Sequence, residues 1–147
     1  MIRRVVSGLD ADGRSAVLLD GALPHWEQGS AAVVWQTQAH PADNSGSADV
    51  AEPYRLDMLH TPGSTFAVCR FAPGAQALMH ATDTIDYLAI LSGRVTLVTE
   101  TGEAELGAGD VVADRGVLHG WRNDHAEPCL AAVVNLPAHP VGAGRTV

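Results

Sequence analysis

Two histidines and one aspartate are the residues of this 147-residue chain best suited to chemistry. His80 leads the segment MHATDTIDYLAILSGRV (79–95), Asp86 begins the apolar run within it, and His119 lies in LHGWRN (118–123). An imidazole changes its charge near neutral pH, and burial can move the pKa of a neighbouring carboxylate toward neutrality. Such groups transfer protons or bind metal ions. His80, Asp86 and His119 are therefore the candidate catalytic residues, unless His80 is only hydrogen-bonded and Asp86 only caps the turn before its strand.

Alternation along strands groups further side chains with these three. Residues at positions i and i+2 of a β-strand lie on the same face. If the faces that carry His80, Asp86 and His119 line a barrel, its interior combines an apolar wall with a few polar groups, as small-molecule pockets do. The side chains that this pattern predicts to contact a substrate are Gln76, Leu78, Thr82, Leu88, Trp121 and Asn123.

Short strands are the elements that must position these residues. No window of about a dozen residues carries the apolar stripe of an amphipathic helix, whereas short apolar runs bounded by Gly, Asp, Pro or Asn recur along the chain. Closely spaced strands of this kind predict an antiparallel sandwich or barrel. The runs cover residues 3–8, 15–21, 31–37, 64–71, 76–80, 86–91, 94–100, 104–106, 110–114, 118–123 and 129–136.

The length of the chain predicts a single domain over residues 1–147. One stretch, QAHPADNSGSADVAEP (38–53), is rich in small and polar residues and lacks an apolar run. We expect it to be a flexible surface loop.

Composition and charge argue against several classes of function. The net charge is −8, which disfavours binding to nucleic acid or to an anionic membrane. The chain contains no Lys, so neither a Schiff-base lysine nor a P-loop lysine is available. Its two cysteines, Cys69 and Cys129, form no CxxC motif and predict no disulfide framework. With no apolar run long enough for a membrane span or a signal peptide, we expect a cytoplasmic protein.

The first motif of the cupin superfamily, G-x5-H-x-H-x3,4-E-x6-G, resembles the segment that begins at Gly74. Five residues separate Gly74 from His80, which occupies the position of the first histidine. Thr82 stands at the position of the second histidine, and Asp86 stands at the position of the glutamate. Gly93 follows six residues later.

The second cupin motif, G-x5-P-x-G-x2-H-x3-N, resembles the segment that ends at Asn123. Gly116, His119 and Asn123 occupy the positions of the motif's second glycine, its histidine and its asparagine. Asp114 stands at the position of the proline, and Gly109 is one residue out of register with the first glycine. The two motifs cover about a third of the chain.

The resemblance implies an all-β fold, the double-stranded β-helix or jelly-roll barrel of a single cupin domain, with a barrel core over about residues 54–137. In that family the motif histidines and the acidic residue bind a divalent metal ion. Carried over to this chain, the metal ligands are His80, Asp86 and His119, and the ion is Fe, Zn, Mn or Ni; otherwise there is no cofactor. The resemblance also implies a homodimer, with the N-terminal strands as the edges that mediate it.

Cupins host many activities, so the implied function stays broad. The main hypothesis is an enzyme that acts on a small carbonyl-bearing or cyclic metabolite with the help of a metal ion, by oxygenase, lyase, dehydratase or isomerase chemistry. One alternative is a metal-free acid–base lyase or polyketide cyclase that uses the same residues. Another is a binding protein for a small ligand, without turnover.

Overall fold

The computed structural model describes residues 1–147, and almost all of the regular structure is β-strand. Two short 3₁₀ turns, Trp26–Gln28 and Leu56–His60, are the only helical segments. Neither has the length and apolar character needed to cross a membrane. The strands are β1 (Arg3–Leu9), β2 (Ser15–Ala22), β3 (Ala31–Gln36), β4 (Thr65–Phe71), β5 (Thr84–Ser92), β6 (Arg94–Thr99), β7 (Glu103–Gly107), β8 (Val111–Asp114), β9 (His119–Arg122) and β10 (Cys129–Pro137).

All strand pairs are antiparallel and they form three sheets. β1 and β2 make a separate hairpin. The larger sheets have the orders β3-β4-β10-β5-β8 and β7-β6-β9. The core lies between these two larger sheets, because Val95 of β6 packs into one cluster with residues of β5 and β10. The all-β double-stranded β-helix predicted from the sequence is confirmed.

Strand β5 shows how alternation between buried and exposed side chains produces the two faces of the five-stranded sheet. Asp86, Leu88 and Ile90 are buried, whereas Tyr87 between them is exposed. Opposite residues on neighbouring strands continue each face, because directly paired residues share a face of the sheet. The inner face of the five-stranded sheet therefore carries both the apolar core and Asp86.

The predicted strand at residues 76–80 is wrong, whereas every other predicted run overlaps a strand. Only His80 is paired, through a bridge in which its N–H donates to the His119 carbonyl at 2.8 Å and its carbonyl accepts from the His119 N–H at 2.9 Å. A turn at Ala72–Ala75 and a left-handed Gly74 keep the preceding residues out of a sheet. Alternation therefore does not hold along this segment.

A tight turn at Gly116 fixes the chain between β8 and β9. Gly116 has a φ of 71°, and a Cβ atom there would overlap the carbonyl oxygens of Thr82 and Thr84. Its carbonyl accepts a hydrogen bond from the Thr82 N–H at 3.2 Å. Only glycine meets both demands, so this residue holds the segment before β5 against the loop that leads to His119.

The predicted loop 38–53 contains no strand apart from a single bridge at Pro53. Arg4 holds it against the rest of the chain through a bidentate contact with the Asp49 carboxylate, in which Nη1 lies 2.8 Å from Oδ1. The flexibility of the loop stays a prediction.

Candidate functional site

A row of polar side chains crosses one end of the inner face of the five-stranded sheet. Thr65 of β4 lies opposite Asn135 of β10, Asn135 lies opposite Asp86 of β5, and Asp86 lies opposite Asp114 of β8. All four side chains are buried. Because buried polar groups are costly unless they are paired, a whole row of them marks this end of the barrel as the candidate site.

His119 and Asp114 form a buried pair that joins the two sheets. Nε2 of His119 lies 2.9 Å from Oδ2 of Asp114, within ion-pair distance, and both side chains are almost fully buried. Oδ2 has no partner with the geometry of a hydrogen bond, so the contact is mainly an attraction between charges. Nδ1 of His119 lies 2.8 Å from the Val117 carbonyl oxygen. Because a carbonyl only accepts, Nδ1 carries a hydrogen, so the contact with Asp114 requires a second proton. The pair therefore consists of an imidazolium and a carboxylate.

The pKa of His119 agrees with this assignment. Burial alone would lower it, but the contacts with Asp114 and with the Val117 carbonyl outweigh the burial and raise the pKa of His119 above its ordinary value. The negative charge of Asp86 acts in the same direction.

His80 lies against His119 on the solvent side. The two ring centroids are 4.4 Å apart, with 50° between the ring planes, and His80 is half-buried. Its Nδ1 is 2.8 Å from the Leu78 carbonyl oxygen, so Nδ1 carries the hydrogen of the neutral ring. Nε2 of His80 therefore has a free lone pair and can accept a proton.

Asp86 is a buried carboxyl group without a complete set of partners. Its Oδ1 atom has no hydrogen-bond partner, and neither has Oδ1 of the opposite residue, Asn135. Burial raises the pKa of Asp86, and the charge of Asp114 raises it further. Asn135, Thr84 and His119 act in the opposite direction without cancelling the rise. Asp86 thus retains its proton to a higher pH than an ordinary aspartate does.

Sequence reasoning missed Tyr54, a half-buried residue before the 3₁₀ turn Leu56–His60. Burial raises the pKa of its hydroxyl, and the charges of Cys69 and Asp86 raise it further, which locates the hydroxyl near both. Burial likewise raises the pKa of the Cys69 thiol to about 12. Tyr54 lies outside any strand, so alternation carried no signal for it.

The predicted metal ligands do not assemble as a metal site. No three His, Cys, Asp or Glu side chains lie close enough together to hold a metal ion. Both ring nitrogens of His119 are engaged, one by Asp114 and the other by Val117. His80, Asp86 and His119 as arranged therefore do not fit a metal ion, and the metal stays a prediction.

Of the predicted substrate contacts, the first four differ in exposure: two side chains are exposed and two are buried. Gln76 and Leu78 are exposed, and the Gln76 amide donates back to the Gly74 carbonyl. The strand on which their prediction rested is absent, because residues 76–79 are not a strand, and their contact with a substrate stays a prediction. Thr82 is buried with its Oγ1 2.8 Å from Oγ1 of Thr84, and Leu88 belongs to the apolar core.

The two predicted contacts that follow His119 have different roles. The Trp121 ring lies 5.9 Å from the His119 ring, edge on, and 5.4 Å from Phe71, so it borders the site. Asn123 is fully buried, and its amide donates to the Phe71 and Glu127 carbonyls while its oxygen accepts from the His125 N–H. Because both polar atoms of its side chain are hydrogen-bonded within the chain, Asn123 stabilises the turn that follows β9.

Two clefts lie outside the barrel. One, of about 760 Å³, lies beneath the β1–β2 hairpin, and the other, of about 410 Å³, lies on the outer face of the five-stranded sheet. Neither is lined by His80, Asp86 or His119. Solvent reaches the candidate site through the half-buried His80.

Comparison with known proteins relates the chain to one family. A family model described as a cupin domain matches residues 67–135. Phomopsin biosynthesis cluster protein C' of Diaporthe leptostromiformis is 33% identical over 118 residues, which cover 74% of this chain and 61% of that protein. A cupin-domain-containing oxidoreductase of Neurospora crassa is 28% identical over 137 residues, covering 84% and 67%. The chain thus spans about three fifths to two thirds of the length of these curated relatives.

Among solved structures, the chain is similar to a Cupin 2 conserved barrel domain protein from Salinispora arenicola. The two are 26% identical, with a TM-score of 0.47, and the match covers 51% of this chain and 64% of that chain.

We expect the Asp114→Asn substitution to lower the pKa of His119. The amide removes the negative charge that holds the second proton, so burial is then opposed mainly by the Val117 carbonyl. NMR titration of the histidine ring protons measures the change. Asp110→Asn is the control, because the Asp110 carboxylate accepts only from the Gly107 N–H. An unchanged pKa of His119 in Asp114→Asn would contradict the assigned imidazolium–carboxylate pair.

We expect the Asp86→Asn substitution to stabilise the protein near neutral pH, by roughly 1 kcal/mol. Because folding raises the pKa of Asp86, its proton stabilises the folded state below the unfolded pKa, and this stabilisation is lost as pH rises through the folded pKa. The free energy of unfolding, measured by urea denaturation at several pH values, should fall less over that window in Asp86→Asn. The exposed Asp57→Asn is the control. A variant as pH-sensitive as the wild type would show that Asp86 titrates normally.

Proposed function

Because the chain belongs to the cupin superfamily, we propose that it is an enzyme that transfers protons on a small carbonyl-bearing or cyclic metabolite. The reaction class is that of a lyase, an isomerase or a cyclase. The protons are moved by the chain's own histidine and carboxyl groups.

A continuous series of four titratable side chains supports this proposal above all. Asp86 lies opposite Asp114, Asp114 contacts His119 at 2.9 Å, and the His119 ring lies against the ring of His80. The series runs from the barrel interior to the half-buried His80. Carboxyl and imidazole groups brought this close together are what acid–base catalysis requires.

His80 is the proposed base. Its ring orientation is fixed by the Leu78 carbonyl at Nδ1, which leaves the Nε2 lone pair available, and the residue is only half-buried. The buried imidazolium of His119 keeps the ring in place from behind. A carbon acid whose C–H bond points at Nε2 of His80 can therefore lose a proton to it.

Asp86 is the proposed acid. It keeps a proton to a higher pH than usual because it is buried. When His80 removes the proton next to a carbonyl, the electron pair moves onto the carbonyl oxygen, and this oxygen takes the proton of Asp86. The imidazolium of His80 can then give its proton to a different carbon of a conjugated enol while the enol O–H returns its proton to Asp86, which completes an isomerisation. If His80 instead gives its proton to a β-hydroxyl group, that group leaves as water and the enol O–H returns its proton to Asp86, which completes a dehydration.

The printed names of two relatives support a small biosynthetic metabolite as the substrate. One relative is called a phomopsin biosynthesis cluster protein, and another, 31% identical over 109 residues, an oryzines biosynthesis cluster protein of Aspergillus oryzae. We carry over to this chain only that class of molecule.

We expect the protein in D2O to exchange the protons next to the carbonyl in members of a panel of cyclic ketones, β-diketones and β-keto esters. The His80→Gln substitution should slow this exchange by roughly 100-fold or more, since it removes the base. Proton NMR of the substrates measures the rate without knowledge of the final product.

His139→Gln is the matched control, because His139 is an exposed residue of the C-terminal segment. It should leave the exchange rate unchanged. Exchange by the wild type no faster than in buffer, for the whole panel, would refute the proposed activity. Equal rates in His80→Gln and wild type would refute the role of His80.

The printed names of relatives favour a second candidate function, an oxidoreductase. Four of the relatives are called cupin-domain-containing oxidoreductases. Electron transfer needs a redox cofactor, for which the side chains as arranged offer no three-ligand site.

We expect protein purified without added metal to contain less than stoichiometric metal and to keep its proton-exchange activity in EDTA. Elemental analysis and the exchange assay measure the two quantities on one sample. One iron or manganese ion per chain, with activity lost in EDTA, would favour the second candidate over the first.

A further inference from the structure

The segment that follows β10 leaves the five-stranded sheet and then contacts it again. β10 ends at Pro137, and the next N–H, that of Ala138, still donates to the Asp83 carbonyl at 2.9 Å. The chain then turns at residues 141–143 and comes back to the same part of the fold. We call residues 138–146 the C-terminal loop.

The far end of the C-terminal loop is attached to residues 81–83, which directly precede β5. The Arg145 N–H donates to Oδ1 of Asp83 at 2.9 Å. Thr146 forms two bonds with Ala81, since its Oγ1 accepts from the Ala81 N–H and its own N–H donates to the Ala81 carbonyl, both at 2.9 Å. With the bond at the start of the loop, four hydrogen bonds hold its two ends to this short segment.

Gly144 allows the loop to approach the segment closely. Its φ of 88° lies in the left-handed region that favours glycine, and a Cβ atom there would lie 3.2 Å from Oδ1 of Asp83. A side chain at this position would therefore be strained and would crowd the carboxylate that accepts from Arg145. The glycine is part of the geometry that makes the attachment.

Thr146 completes the hydrogen bonding of the segment on a second side. His80 and Thr82 bond to β9 and to the loop before it, whereas Ala81 between them bonds to Thr146 alone. Ala81 is 7% exposed, so without Thr146 its N–H and carbonyl would be buried and unpaired, which is unfavourable. The conformation of the segment therefore depends on the C-terminal loop.

This segment joins the two groups of the proposed proton transfer. It begins directly after His80, the proposed base, and leads into β5, which carries Asp86, the proposed acid. Residues 76–79 are not in a strand, so the backbone of His80 is held by its bridge to β9 and, one residue later, by Thr146. A displacement of about 1 Å at a reacting group can lower a rate roughly 100-fold.

We propose that Thr146 is a positioning residue for the proton transfer, and that the C-terminal loop keeps His80 in the orientation in which its Nε2 can act as the base. Thr146 forms no hydrogen bond with the His80 ring and acts through Ala81. The inference rests on the proposed function, in which His80 is the base. The exposed side chain of His139 takes part in none of these bonds.

The test uses a pair of substitutions at Thr146 in the full chain. Thr146→Val removes the acceptor of the Ala81 N–H at nearly unchanged size, whereas Thr146→Ser keeps it. Thr99→Val is the matched control, because the Thr99 hydroxyl donates to the Gly102 carbonyl in the β6–β7 turn. Three quantities are measured: the solvent exchange of the Ala81 amide, the tautomer of the neutral His80 ring by ¹⁵N NMR, and the exchange of substrate protons in D2O.

We expect Thr146→Val to speed the solvent exchange of the Ala81 amide by at least about tenfold, because the N–H loses its acceptor. The His80 ring should then populate the Nε2–H tautomer beside the Nδ1–H tautomer that the Leu78 carbonyl selects. Exchange of substrate protons should slow by about tenfold. Thr146→Ser and Thr99→Val should match the wild type in all three quantities.

Substitutions at Asp83 test the second attachment of the loop. Asp83→Ala and Asp83→Asn both remove the charge, but the amide oxygen of asparagine can still accept from the Arg145 N–H. Asp83→Ala should therefore shift the His80 tautomer in the same direction as Thr146→Val, and Asp83→Asn should not. An equal shift in both would assign the effect to the charge and overturn the role of this attachment.

A role of Thr146 in stability alone would lower the urea midpoint of Thr146→Val and leave the His80 tautomer as in the wild type. That result, in a variant that circular dichroism shows to be folded, would overturn the proposal. A wild type that exchanges no substrate protons would refute the proposed function instead. The ring tautomer and the Ala81 amide would still decide whether the C-terminal loop positions His80, since neither measurement needs a substrate.

Discussion

The buried contact between Asp114 and His119 is the constraint on which the arrangement of the site depends. Asp114 ends β8 in one sheet and His119 begins β9 in the other, so the pair fixes the distance between the two sheets at this end. Breaking a buried ion pair on one side typically costs roughly 3–5 kcal/mol, because the remaining charge is left without a partner. A hydrogen bond holds the loop between Asp114 and His119, because the Gly116 N–H donates to Oδ1 of Asp114 at 2.9 Å. The loop also positions Thr82, whose N–H donates to the Gly116 carbonyl, and His80, whose backbone is bridged to His119.

The polar row divides the barrel into an end that stabilises the fold and an end that does not. Leu88, Ile90 and Val133 pack with the opposite sheet and bury apolar surface, which favours folding. Asp86 and Asn135, one step further along the same strands, bury oxygen atoms without partners, which opposes folding. A chain selected only for stability would extend the apolar packing to this end. Retention of the carboxyl group is the compromise that functional sites show.

The strands could be predicted from the sequence because two local signals agree along most of the chain. Turn residues such as Gly93 mark where runs end, and period-two alternation in β5 correctly placed Leu88 on the same buried face as Asp86. The same reasoning failed at residues 76–79. Only His80 is paired there, through a single bridge to His119, and no strand precedes it.

The composition of the site could be predicted only in part, since partners distant in sequence leave no local pattern. His80, Asp86 and His119 were identified from their types and spacing. Asp114 contacts Nε2 of His119, the nitrogen that a metal ion would need. The contact arises because β8 and β9 come together in the fold, and no sequence motif predicts it.

The two faces of the five-stranded sheet act on the site together. The apolar outer row that contains Tyr87 and Ala113 lies directly behind the polar inner row, because each of its members is the chain neighbour of a polar residue. A carboxyl group keeps its proton to a higher pH where neighbouring apolar groups limit its contact with water. The apolar core limits the access of water to Asp86 from one side, and the outer row limits it from behind.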